Sequence, residues 1–273
     1  MGDNMDKSML KMVYQQPAPN ILADVCAKAA KMNDVIDLSV GDPNFTTPEP
    51  IIDYAFTKAK AGMTHYTGAN GLPELRQAIA KFYQDQFGLT YDPDQVLVTT
   101  GAQHGMYLAM QVLLNPGDEV IIPQPSYSPY VNQVKMAGGV PVLVANDPAK
   151  DFAIDFDALT NKITDKTKAI IVNTPNNPTG HLMAEGEIKK LVQLAIDHDL
   201  LVFSDEIYSD YVMPGHTFTT LAKYAPDNVV VNSGMSKCFA MTGWRIGYLI
   251  GPKWLVDAAN EANDAITDVV ATV

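Results

Sequence analysis

From about residue 95 onward, short runs of valine, isoleucine and leucine alternate with longer amphipathic segments. The runs "QVLVTTG", "DEVIIPQ", "VPVLVAN", "KAIIVNTP", "LLVFSDEIY", "NVVVNSG" and "WRIGYLIG" have strand length and are mostly rich in β-branched residues. Several are apolar at successive positions. A strand with one wetted face alternates apolar with polar residues, because neighbouring side chains point to opposite faces. A strand apolar throughout must be covered on both. Helical segments lie between the runs: "AQHGMYLAMQVLL" follows the first, and a segment presenting Ile188, Leu191, Val192, Ala195 and Ile196 follows the fourth. This order predicts an α/β fold with a mostly parallel central sheet sandwiched by helices. Ahead of it, "LPELRQAIAKFY" spaces Leu75, Ile79 and Phe82 along one helical face, with Pro73 suited to the first turn. A further helix is expected over Ile21–Met32, in a Pro- and Asn-dotted N-terminal stretch.

Composition narrows the function classes. With 273 residues, 47% of them hydrophobic, the chain can build one large core or two smaller ones. A formal net charge of −12 and a pI near 4.7, with no basic run, disfavour nucleic-acid binding. The two cysteines, Cys26 and Cys238, form neither a disulfide framework nor a zinc pattern and fit a reducing compartment. No apolar run reaches bilayer length. The first residues lack a signal peptide's apolar stretch, and Met1–Gly2 is followed by Asp6 where N-myristoylation needs Ser or Thr. The expectation is a cytoplasmic protein without nucleic-acid or membrane partners.

In parallel sheets, ligands bind beyond the C-terminal ends of the strands, so the polar residues there carry the functional signal. "VTTGAQHG" puts Gly101 at a strand-to-helix turn, where the amides of Ala102 and Gln103 could hold a phosphate; it reads equally as a plain helix start. "NTPNNPTG" offers Asn177 beside Pro178, or simply a stiff turn. "SDEIYSDY" ends a strand with Asp205 and Glu206, then Tyr208. Asp205 could face a buried cation, or join Glu206 and Asp210 as oxygen donors to a metal. "SGMSKCFAMTGWRIGY" carries Lys237 and, eight residues later, Arg245, two cations in mostly apolar surroundings. A lysine in a dry site becomes a nucleophile, and the arginine fork suits a phosphate. Singly, each also reads as an ordinary loop or structural cation.

One ligand uses all four features. Pyridoxal phosphate has an aldehyde for Lys237 and a phosphate for Arg245, Ser236 and the amides at Ala102 and Gln103. It also has a pyridine nitrogen for Asp205 and a phenolic oxygen for Asn177 and Tyr208. A nucleotide site with an Asp–Glu metal centre is the rival from another class, but the chain has no phosphate-loop lysine.

The string S-K-x-F-x-M-T-G-W-R-x-G-Y, preceded in order by N-x-P-x-N-P-T-G and D-E-I-Y, resembles the class I/II aminotransferases, the aspartate aminotransferase-like branch of fold-type I pyridoxal phosphate enzymes. The match runs from about residue 35 to 255. The resemblance implies that Lys237 is the Schiff-base lysine and proton shuttle of a ping-pong transamination between an L-amino acid and a 2-oxo acid. It gives Asp205 to the pyridine nitrogen, Asn177 and Tyr208 to the phenolic oxygen, and Arg245, Ser236, Ala102 and Gln103 to the phosphate. Tyr127 takes the place of the aromatic stacked on the cofactor ring, and Tyr130 reads as packing. Tyr66 matches a tyrosine that reaches the neighbouring subunit's phosphate, which implies a homodimer, and Gly41 matches a glycine at the substrate carboxylate site. The implied domains are an N-terminal arm with the start of a small domain over 1–45 and a large cofactor domain over 46–273. Family members run further, and their last part carries the arginine that grips the substrate carboxylate. The chain therefore reads as C-terminally truncated with an incomplete small domain, and Ile266 and Val269–Val270 are expected to be exposed. A β-lyase acting on sulfur amino acids and a non-catalytic pyridoxal phosphate-binding remnant are the alternatives.

Overall fold

The structure, a computed structural model, describes residues 9–15, 21–36 and 39–271. The readings made at Met1–Gly2 and Asp6 lie outside them. The chain falls into two compact units, Met1–Asn44 and Phe45–Val273. In the first, α1 spans Met12–Gln15 and α2 spans Ile21–Ala29. The helix expected to reach Met32 stops at Ala29, where Lys31 and Met32 switch to tighter bonds onto Lys28 and Ala29.

The second unit holds the sheet. Its helices are α3 (Glu49–Lys60), α4 (Pro73–Phe87), α5 (Ala102–Leu113), α6 (Pro129–Met136), α7 (Phe156–Thr160), α8 (Glu185–Asp197) and α9 (Lys253–Thr267). Its strands are β1 (Val96–Thr99), β2 (Glu119–Gln124), β3 (Val140–Ala145), β4 (Thr167–Asn173), β5 (Leu201–Asp205), β6 (Val229–Gly234) and β7 (Gly247–Ile250). Among the described residues these seven strands form one sheet in the order β1-β7-β6-β5-β4-β2-β3. Strand β7 pairs antiparallel with both β1 and β6, and every other pairing is parallel.

The continuous apolar runs are explained by two cores, one on each face. Val96, Val98, Ile121, Ile170, Val202, Val229 and Val231 point to one side, against Ile79 and Tyr83 of α4 and Ile188, Leu191 and Val192 of α8. The residues between them, Leu97, Val120, Ile122, Ile171, Phe203 and Val230, point to the other, against Met106 and Leu108 of α5 and Leu255 and Val256 of α9. Each fully buried aliphatic side chain contributes roughly 1.5–3 kcal/mol relative to exposure, so slipping a strand by one residue would exchange both cores at once. Strand β3 is one of the two edge strands, and its Pro141 and exposed Val140 and Leu143 suit that place.

Three expectations about apolar faces are corrected. In α4 the buried stripe is Arg76, Ile79, Ala80 and Tyr83, one residue round from the face that included Phe82, which lies 45% exposed against the rings of Tyr83 and Phe87. In α8 the buried set ends at Ala195, and Ile196 is 42% exposed. Val270 is buried in the α4/α8-side core, whereas Ile266 is 55% exposed as expected.

Candidate cofactor site

The parallel strands and β1 all end at one edge of the sheet. Because β7 runs the other way, it begins there: Gly247 stands opposite both Thr99 of β1 and Gly234 of β6. The same edge therefore collects Asn173, Asp205 and the turn that joins β6 to β7, and with them Asn177, Tyr208, Lys237 and Arg245.

Asp205 ends β5 and is 6% exposed. Its Oδ2 accepts a hydrogen bond from the Tyr130 hydroxyl at 2.7 Å and its Oδ1 accepts from the Ile207 amide at 3.2 Å. Burial raises its pKa, and the Tyr130 bond, the Ile207 amide and the charge of Lys237 oppose that rise. Asn173, one strand over and also buried, ties the edge: its Nδ2 donates to the Asp205 carbonyl at 2.9 Å and its Oδ1 accepts from the Asn177 amide at 2.6 Å. The Asn177 side chain in turn hydrogen-bonds the Tyr208 hydroxyl. Burial raises the Tyr208 pKa first, and Asp205 and Tyr127 add to it.

Lys237 is half-buried, with Nζ 5.7 Å from the centroid of the Tyr208 ring. The turn that carries it is held by Met241 N donating to the Ser236 carbonyl at 3.1 Å, and by Thr47, whose Oγ1 donates to Ala240 O at 2.7 Å and accepts from Trp244 Nε1 at 3.1 Å. Ala240 and Arg245 both adopt left-handed backbone, φ 51° and 59°, which costs about 1–2 kcal/mol each for a residue with a Cβ. Ser236, immediately before Lys237, is buried.

Arg245 lies against the start of α5. Gly101 caps that helix with φ 82°, and a Cβ there would run into the Arg245 guanidinium, with Cζ only 2.9 Å away. The glycine thus leaves room for a cation at a helix N-terminus, where the amides of Ala102 and Gln103 add their own positive field. Arg245 Nη1 also donates to Thr242 O at 2.9 Å. Tyr127 links the two ends of the edge. Burial raises its pKa, the Asp205 carboxylate adds to the rise, and the Arg245 guanidinium opposes it; its hydroxyl donates to Gln103 Oε1 at 3.3 Å.

Tyr66 is 82% exposed, and Gly41 belongs to the first unit. Two others escaped the sequence reading. Asn173 is an ordinary strand-end asparagine in sequence. Tyr130 was read as packing, yet it hydrogen-bonds Asp205; its signal was a second tyrosine three residues after Tyr127, one helical turn on.

Glu206 has a different part from its neighbour. It is 1% exposed, and its Oε1 accepts from Ser204 Oγ and Thr220 Oγ1 at 2.8 Å each and from Leu221 N at 3.2 Å. Burial outweighs these donors and lifts its pKa from 4.5 to about 7. The folded chain thus keeps a proton that the unfolded chain releases above its ordinary carboxylate pKa. Stability from this group is complete in acid and is lost as pH rises toward 7. Glu206→Gln keeps an acceptor and removes the charge, so its unfolding free energy in urea titrations should exceed the parent's above pH 7, by roughly 1–3 kcal/mol, and converge with it below pH 5. A difference independent of pH would refute this account of Glu206.

The donor set fits pyridoxal phosphate: a carboxylate with a nearby amine, an amide and phenol pair, and a glycine-opened helix start with an arginine beside it. Comparison with known proteins agrees. The family profile described as "Aminotransferase class I and II" matches residues 33–267. Aspartate aminotransferase of Bacillus sp. (strain YM-2) is 38% identical over 262 residues, covering 93% of this chain and 67% of that enzyme. Aspartate aminotransferase of Geobacillus stearothermophilus is 43% identical over 232 residues, covering 84% and 59%. The solved structure of the Thermus thermophilus aspartate aminotransferase with maleate superposes with a TM-score of 0.90 at 37% identity, covering 93% of this chain and 68% of that one. The chain belongs to the class I and II aminotransferases, a pyridoxal phosphate-dependent family of fold type I. It spans 59–67% of the length of these two curated relatives. Among the described residues, no helix is long and apolar enough to cross a membrane.

Proposed function

We propose that this chain binds pyridoxal phosphate at the sheet edge and serves the transfer of an amino group between an L-amino acid and a 2-oxo acid. The observation that carries the reading is the pairing of two subsites on one edge: Asp205 with Lys237 at the β5/β6 end, and Arg245 with the start of α5 at the β1/β7 end. When bound, pyridoxal phosphate supplies an aldehyde that condenses with amines and a protonated pyridine ring that draws off electrons. Lys237 Nζ is the amine that holds the aldehyde and afterwards the base that carries the substrate's α-proton. Asp205 keeps the ring nitrogen protonated. Asn177 and Tyr208 bond the phenolic oxygen, and Tyr127 covers the ring. Ser236, Arg245 and the amides of Ala102 and Gln103 hold the phosphate. Within the same proposal, Gly41 serves the substrate carboxylate. Tyr66, exposed as it is, serves the phosphate of a second copy in a homodimer.

The test is reduction of the purified chain with borohydride after incubation with pyridoxal phosphate, followed by peptide mass spectrometry. A reduced pyridoxyl adduct on the Lys237 peptide is expected. With aspartate or an aromatic amino acid added first, the visible band should convert to that of the amino form of the cofactor. An unmodified Lys237 peptide at excess cofactor would refute the assignment.

A further inference from the structure

We propose that Tyr130 is a positioning residue for Asp205: its hydroxyl keeps the Asp205 carboxylate ionised and fixed in orientation. The inference rests on the reading that Asp205 faces a protonated ring nitrogen, where a neutral acid would be of no use.

Tyr130 is 3% exposed on α6, and its hydroxyl lies 2.7 Å from Asp205 Oδ2, the short separation of a hydrogen bond onto a charged oxygen. Oδ1 has the Ile207 amide. The two oxygens thus have donors on different sides of the sheet edge, Tyr130 from the helix over β2 and Ile207 from the chain leaving β5, and the Asn232 side chain of β6 also supports the charged carboxylate. Rotating the carboxyl group would forfeit one of them.

The surroundings show why a donor is needed. Burial works against the Asp205 charge, and Tyr130 is foremost among the groups that restore it, ahead of the Ile207 amide, the Asn232 side chain and Lys237. The other titratable groups facing Asp205 are Tyr127, Tyr208 and the neighbouring Glu206. None of these is a cation, and the positive charge acting on Asp205 is that of Lys237. Burial and the Asp205 charge push the Tyr130 hydroxyl well above its ordinary range, so it stays a protonated donor at every working pH. Its ring also stands edge-on to Tyr127, centroids 5.5 Å apart at 77°, a contact that phenylalanine would preserve. Removing the hydroxyl alone therefore isolates the bond to Asp205.

The experiment uses the full chain in three forms: the parent, Tyr130→Phe, and the parent with 3,5-difluorotyrosine incorporated at position 130, a stronger donor of nearly the same volume. Aspartate carboxyl carbons are labelled with ¹³C, and the Asp205 signal is assigned by its loss in Asp205→Asn. Without cofactor, Tyr130→Phe should raise the Asp205 titration midpoint by roughly one pH unit, a tenfold weaker acid, and difluorotyrosine should lower it. A midpoint that moves in neither form overturns the proposal, and the fluorinated form decides the matter if Tyr130→Phe does not fold. In a second arm, pyridoxal phosphate affinity should fall about threefold in Tyr130→Phe midway between the parent and variant midpoints and approach a tenfold loss below both, with convergence well above both. A parent chain that binds no pyridoxal phosphate would defeat the cofactor reading instead, and the ¹³C titration would still decide whether Tyr130 governs Asp205.

Discussion

Replacing Lys237 with alanine is expected to abolish the borohydride-fixed adduct and to slow amino transfer by roughly 10²–10⁴-fold, with the fold intact. The turn around Lys237 is held by backbone groups and by its neighbours: Tyr211 Oη donates to the Lys237 carbonyl at 3.3 Å, and Met241 N to the Ser236 carbonyl at 3.1 Å. Neither bond uses the lysine side chain. What the side chain does supply is an amine beside Tyr208 and a positive charge near Asp205. Lys237→Arg separates these two contributions. It restores the charge, but a guanidinium stays protonated and is no nucleophile, so it should recover the Asp205 titration without recovering the adduct. Circular dichroism, the visible spectrum and the mass of the position-237 peptide check all three expectations. An adduct of undiminished yield in Lys237→Ala would move the reactive amine to another lysine and sink the assignment.

The second large effect is expected from a steric clash with backbone atoms. Gly247→Ala should cost about 3 kcal/mol or more, at or beyond the top of the usual range for overpacking. A Cβ at Gly247 would collide with Ala102 N and Gly101 C and come within 2.9 Å of Ala102 Cα. All three are backbone atoms at the start of α5, so no side-chain rotation relieves the clash. Either β7 leaves its register with Thr99 and Gly234, or the helix start moves away from Arg245. Both routes damage the anion subsite. The urea midpoint should drop, and the parent's preference for pyridoxal phosphate over unphosphorylated pyridoxal should shrink toward unity in the variant. A variant with an unchanged midpoint and undiminished preference would show that strand and helix do not meet this closely.

What could be read from sequence follows from where each contact lies. A strand covered on both faces writes its environment directly as a continuous apolar run, so "AIIV" and "VVV" announced the sheet. Polar residues that interrupt such runs at their ends, Asp205 above all, announced the edge that matters. Helix faces were read less well, because one residue at the margin of a stripe decides little energy. Phe82 and Ile196 stand at such margins, and tertiary packing settled them. The direction of β7 leaves no mark, since the side-chain pattern of a strand is the same in either sense. Asn173 and Tyr130 were hidden for another reason: their partners, Asp205 in both cases, lie 32 and 75 residues away in sequence.

The reversal of β7 has a consequence for how this edge can open. The twelve residues between Gly234 and Gly247 link two interior strands, β6 flanked by β5 and β7, and β7 flanked by β6 and β1. Both of the strands they join are hydrogen-bonded on either side. Amide hydrogens at Val231 and Leu249 should then exchange with solvent only through disruption of the central sheet, not through a local fluctuation. Lys237 and Arg245 share that anchoring: the roots of the segment that carries them lose their place only when the sheet itself comes apart.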